Sequence, residues 1–153
     1  MNPMETLELP TQAIVLDFDS SATREIYRRI HAAPPFACDC NTCNNWRACD
    51  KGIPPKQFLE LLTTLAVNFD YPAEVYHLMR TDTGLHLYGG WYHFVGAIRS
   101  GMDNDSKSLV YDSWAVTFHD RVNLVDNRFD SLPTVQLEFS ANMPWVLPTP
   151  EPD

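Results

Sequence analysis

The sequence predicts an α+β fold: an antiparallel sheet with two or three helices packed on it and a cysteine-rich loop between helices. Three observations carry this reading. Apolar residues recur at helical spacing within the first 65 positions, the period changes to two from Gly84 onward, and no helical pattern separates the later strands.

Residues 12–18, rich in β-branched and aromatic side chains, read as a strand. Ser20 or Ser21 is placed to cap a helix that runs to about Ala33, with Ile26, Tyr27 and Ile30 on its apolar stripe and Pro34-Pro35 ending it. The segment from Cys38 to Lys51, dense in Asn and Asp, reads as loop or a very short helix. Pro54-Pro55 then opens the clearest helix, whose stripe is Phe58, Leu61, Leu62 and Leu65. Pro72-Ala73-Glu74 reads as the start of another short helix through Tyr76.

Beyond Gly84, strands are expected at Leu85–Tyr88 and Trp91–Ile98 around Gly89-Gly90. Gly101–Ser106 reads as a polar turn. Further strands are expected at Val110–Phe118 and Val135–Phe139, with a weaker one at Arg121–Val125. The 153 residues fit one domain over 1–147, followed by a proline-rich tail, 148–153, expected to fray.

Eleven Lys and Arg against twenty Asp and Glu leave a net charge of −9, of which residues 102–153 carry −6. With no Lys/Arg cluster to neutralise phosphates, the sequence predicts neither nucleic-acid binding nor attraction to an anionic membrane surface. No apolar run approaches the ~18–20 residues that span a bilayer. Met1 to Pro10 holds Glu5 and Glu8 and no Lys or Arg, which does not read as a secretory signal, so the expected compartment is the cytoplasm. The acidity serves solubility, or else a surface that meets a basic partner, as in an immunity-like inhibitor.

Two constellations could carry chemistry. Cys38, Cys40, Cys43 and Cys49 lie within twelve residues. Zinc favours such soft ligands, and a Cys-x2-Cys turn presents two sulfurs at a suitable separation. Against this, zinc sites commonly pair two separated hooks, so free packed thiols, a disulfide, or three cysteines joined by a distant histidine all stay open.

The second constellation runs from Gly84 to Gly96. If Gly89-Gly90 makes a two-residue hairpin turn, His86 opposes His93 and Tyr88 opposes Trp91. Those four side chains then share one face as a binding site for a small molecule or a metal. The plainer alternative is an aromatic face half-covered by a helix, with its histidines bonded to backbone. Two shorter motifs fall short. Ala13–Ser20, with Asp17 and Asp19, resembles the first motif of haloacid-dehalogenase-type phosphotransferases but lacks the alternating helices and later acidic pair. Asp103-Asn-Asp105 lacks the glycine and distal Glu of a calcium loop.

Phe36–Trp46, Ala73–Tyr76, Gly84–Gly96, Val135–Phe139 and Pro144–Leu147, taken in order, resemble a family of small uncharacterised bacterial proteins. The resemblance spans most of the chain. It implies a bacterial, cytoplasmic, single-domain protein, with a cysteine pattern centred on Cys38, Cys40 and Cys43. The expected function is an acidic binding or interaction module, with a protein or small molecule as partner and a possible structural zinc. The alternative is a small metal-dependent enzyme using His86 or His93 as ligand or base.

Overall fold

The architecture follows from one long strand. In a computed structural model, which describes residues 4–10, 13–30, 38–49, 51–101 and 108–153, β4 (His86–Ser100) is fifteen residues long and organises a seven-stranded antiparallel sheet. One edge of β4 pairs with β7 (Thr134–Met143), from His86↔Met143 to Val95↔Thr134 with no register break. Its other edge is shared in tandem. β3 (Glu74–Arg80) takes the first half, and β2 (Ile14–Phe18) takes the second through pairs such as Phe18↔Gly96. β1 (Glu5–Leu9) extends the sheet beyond β2, while β6 (Trp114–His119) and β5 (Leu109–Tyr111) extend it beyond β7. The predicted α+β class is the observed one.

Among the described residues three α-helices lie among these strands, α1 (Ser20–Arg29), α2 (Asn41–Ala48) and α3 (Lys56–Leu65), with a short 3-10 helix at Asn127–Phe129. Asp19, rather than Ser20 or Ser21, caps α1, its carboxylate accepting from Ala22 N at 2.9 Å. α1 stops at Arg29, short of the expected Ala33; Pro34-Pro35 lie outside the described residues, as do residues 102–106 of the expected polar turn. The stripe predicted for α3 is buried in full. Trp46 of α2 meets Tyr88 of β4 at 5.6 Å between ring centroids. Trp46 stacks on Phe139 (5.3 Å) and Phe69 (5.9 Å), and Phe58 packs on Trp114 (4.9 Å). Each such side chain contributes roughly 1.5–3 kcal/mol by leaving water, so Trp46 fixes where α2 sits.

Further expectations require correction. The strand expected at Val110–Phe118 is two, β5 and β6, separated by a turn at Asp112-Ser113. The cysteine segment forms an eight-residue helix from Asn41, longer than expected, because Trp46 gives it an anchor in the core. Residues 74–76 begin strand β3, not a helix, since β4 offers an open edge there. Arg121–Val125 is no strand; it belongs to a loop on the far face of the sheet, where Trp91 Nε1 donates to Asn123 O (3.0 Å).

The largest correction concerns Gly89-Gly90. They are not a turn but the middle of β4, where space is short. A Cβ on Gly89 would meet the Tyr76 ring at 2.5 Å, and one on Gly90 would meet the Phe139 ring at 2.7 Å. The hairpin that does form joins β3 to β4 through Gly84, at φ +84°, with Thr81 N donating to Leu85 O at 2.7 Å.

Candidate metal centre

With β4 continuous, His86 and His93 are seven residues apart and fall on opposite faces of the sheet. The predicted site of His86, Tyr88, Trp91 and His93 is therefore divided. His86 and Tyr88 face the helices. Trp91 and His93 face the 120–133 loop, where His93 Nε2 donates to Gln136 Oε1 (3.0 Å), which also accepts from Asn123 N (2.7 Å). Gln136 in turn donates to Glu138 (2.9 Å), so the polar groups on this side are mutually satisfied.

The cysteine segment is where donors converge. Sγ atoms of Cys38, Cys40 and Cys43 all lie within 4.8 Å of one another, and among the described residues no other His, Cys, Asp or Glu joins them. Such a cluster could hold a metal ion. Cys40 occupies the N-cap of α2, and Cys38 sits two residues before it with its thiol donating to Cys40 Sγ at 2.9 Å. The turn is clamped to its helix by two side chains. Arg47 donates to Cys38 O at 2.6 Å, and Asn44 donates to Asp39 O at 3.3 Å.

These surroundings set the acidity of each thiol. Cys40 is lowered to about 6, chiefly by the hydrogen bond from Cys38, then by Thr42 and by the backbone N–H of Cys43. Cys43 is pushed up to about 12, first by burial and then by the neighbouring thiols. Cys38 and Cys40 are exposed and Cys43 is buried, so the cluster opens outward from a fixed inner sulfur.

Cys49 is not drawn into the cluster. It lies at the other end of α2, where burial raises it to about 11 and its thiol donates to Pro144 O at 3.7 Å.

Tyr88 joins the two constellations. Its hydroxyl donates to Thr42 O (2.7 Å) and accepts from Asn45 Nδ2 (3.3 Å), so it supports the first turn of α2 from below. His86, fully buried, bonds His77 Nε2 through Nδ1 at 2.8 Å and Glu151 through Nε2 at 2.7 Å. Glu151 also lies 3.6 Å from Arg80.

Asp17 and Asp19, the pair resembling a phosphotransferase motif, have structural partners. Asp17 holds Arg99 Nε at 3.0 Å and Asp19 caps α1. The Asp103–Asp105 stretch lies outside the described residues.

Sequence reasoning missed His77, Asn45, Gln136 and Glu151. His77 was hidden by the helical reading of the Pro72 segment, and the others act through partners roughly 40–100 residues away. No family model, curated protein or solved structure matches the chain. No helix among the described residues is long and apolar enough to cross a membrane.

Proposed function

We propose that the protein is a small acidic binding module whose cargo is a soft metal ion, zinc foremost, held by Cys38, Cys40 and Cys43. The carrying observation is the convergence of three sulfurs within 4.8 Å on a turn braced by Arg47 and Asn44. Sulfur donors suit zinc, and the acidified Cys40 is already a thiolate at neutral pH. Metal takes the place of the Cys43 proton, so binding releases protons and strengthens as pH rises. All four thiols are free, which accords with a reducing cytoplasm.

Three donors leave a coordination position for a group from outside the cluster. That supports exchange of the ion, or its use as a contact point for a partner, over a closed structural site. The enzyme reading rests on the same open position. It finds no base in His93, which lies on the far face, and in His86 both ring nitrogens are engaged.

Elemental analysis of protein prepared without chelator is expected to find about one zinc per chain. Cys40→Ser removes it and Cys49→Ser retains it. Protein that carries no metal and binds none on titration with zinc refutes the proposal.

A further inference from the structure

Apart from the thiol cluster, α1 and α3 leave a cleft between them that the fold does not explain. Along α1 the residues facing it are Arg24, Tyr27 and Arg28; along α3 they are Leu59, Leu62 and Thr63. Each set repeats at three and four residues, the spacing by which two helices interlock ridge into groove. Close packing would require apolar side chains on both ridges. Of the three cleft residues on α1 only Tyr27 is buried, and its hydroxyl donates to His93 O at 2.7 Å. The arginines one turn apart stand at the rim instead, and a cavity of about 540 Å³ remains. That lies within the range of about 300–1,000 Å³ typical of small-molecule sites.

The lining has two parts. Leu59, Leu62 and Phe69 supply an apolar wall, and Arg24, Arg28 and Lys51 supply cations. No acidic side chain is among the described lining residues, although the chain carries twenty acidic residues against eleven basic. Arg28 and Lys51 bond Glu25 and Asp70 (both 3.1 Å), carboxylates that do not line the cavity. Both pairs are solvent-exposed and hence readily exchanged. Arg24 makes no hydrogen bond among the described residues, and its charge acts at longer range on the exposed Glu5 carboxylate of β1, which, after the hydrogen bonds from Ser20, it helps to hold below the usual range.

We propose that this cleft is a binding site for an amphipathic anion. A carboxylate or phosphate monoester head is held between Arg24 and Arg28, and a short acyl or aromatic body lies against Leu59, Leu62 and Phe69. Guanidinium groups at i and i+4 offer paired donors to one oxyanion. The apolar wall supplies affinity that inorganic anions lack. The site is independent of the thiol cluster and does not require metal.

Isothermal titration of the full chain with decanoate, decyl phosphate and uncharged decanol, each below its self-association limit, tests this. At least one anion is expected to bind with a dissociation constant on the order of tens of micromolar, and decanol at least about tenfold more weakly. The tighter anion identifies the head group. R24A/R28A, both at exposed positions, is expected to weaken that anion about tenfold and bring it level with decanol. T63W, which fills the cleft from an exposed position on α3, is expected to abolish binding of all three. Circular dichroism spectra matching the parent confirm that each variant folds. Decanol binding as tightly as the anions overturns the proposal, as does affinity unchanged in either variant or no binding up to about 1 mM.

Discussion

The two ends of α2 carry the same functional group in opposite conditions. At the N-terminal end, Cys38 and Cys40 are exposed and Cys40 is acidified to about 6 by donors from its own turn. Nine residues on, Cys49 is half-buried, raised to about 11, and bonded to the carbonyl of Pro144. The difference arises from what each end packs against. The first end is stabilised by short-range contacts and left open, whereas the second is closed by the strap that follows β7. Asn45 fastens that strap, accepting from Val146 N at 2.8 Å and donating to Pro144 O at 3.0 Å. Four cysteines close in sequence therefore divide into three that can act together and one that belongs to the packing.

The sharpest way to break this contrast is to compare thiol reactivities in metal-free, reduced protein. At pH 7 the thiolate fractions of Cys40 and Cys49 differ by about four orders of magnitude, while the lower intrinsic nucleophilicity of an acidic thiol takes back about two. Iodoacetamide labelling followed by mass spectrometry is expected to modify Cys40 about a hundredfold faster than Cys49, with Cys40 labelling half-maximal near pH 6. Equal rates at the two positions would erase the distinction.

Next in size is the strap. Asn45→Ala removes both strap bonds and the donor to Tyr88; Val146 N loses its acceptor, Pro144 O keeps only the weak Cys49 thiol and Tyr88 keeps only its bond to Thr42 O. Urea denaturation is expected to show a loss of about 2 kcal/mol. In the same variant Cys49 should label faster while Cys40 is unaffected. A change at Cys40 instead would show that the two ends are coupled.

How much of this was legible in the sequence follows the range of the contacts. The α3 stripe and the period-two strands could be read because helix and strand periodicities are local. The thiol cluster was visible for the same reason, since its three members lie within six residues. The hairpin failed because a Gly-Gly pair fits two needs equally, a positive-φ turn or close approach of a neighbour. The Tyr76 ring and the Glu74 carbonyl of β3, with the Phe139 ring of β7, decide between them. β3 itself was lost to a proline and a glutamate that suggested a helix start, and with it His77. The strap bonds join positions 45 and 86 to positions 144–151, a pairing that no local pattern announces.

A smaller effect is expected where the strap ends. Glu151→Ala deprives fully buried His86 of the acceptor on Nε2 and frees the last residues. The expected cost is about 1 kcal/mol, with Glu151→Gln milder because its amide oxygen still accepts. Chemical denaturation of both variants checks the order, and a cost for Gln equal to that for Ala would remove the hydrogen bond from the account.

The smallest expected effect concerns pH and again divides the two ends. His77 lies against His86 and the Tyr88 ring, with Arg80 and Glu151 close to the same pair. Burial, and then the charge of His86, hold its pKa below the ordinary 6.5. An imidazole harder to protonate in the folded chain makes the unfolded state the better proton acceptor below that pH. Stability is therefore complete above about 6.5 and declines as pH falls toward the depressed folded value. His93, lowered chiefly by burial on the far face, adds a decline of the same sign. Denaturation midpoints measured from pH 7.5 to 5 should fall in the parent and fall less steeply in His77→Gln. The pH profile of Cys40 labelling should be the same in both proteins, because its acidity is set within its own turn. An unchanged stability slope in His77→Gln, or a displaced Cys40 profile, would mean that protons at the strap end and at the thiol end are not separately controlled.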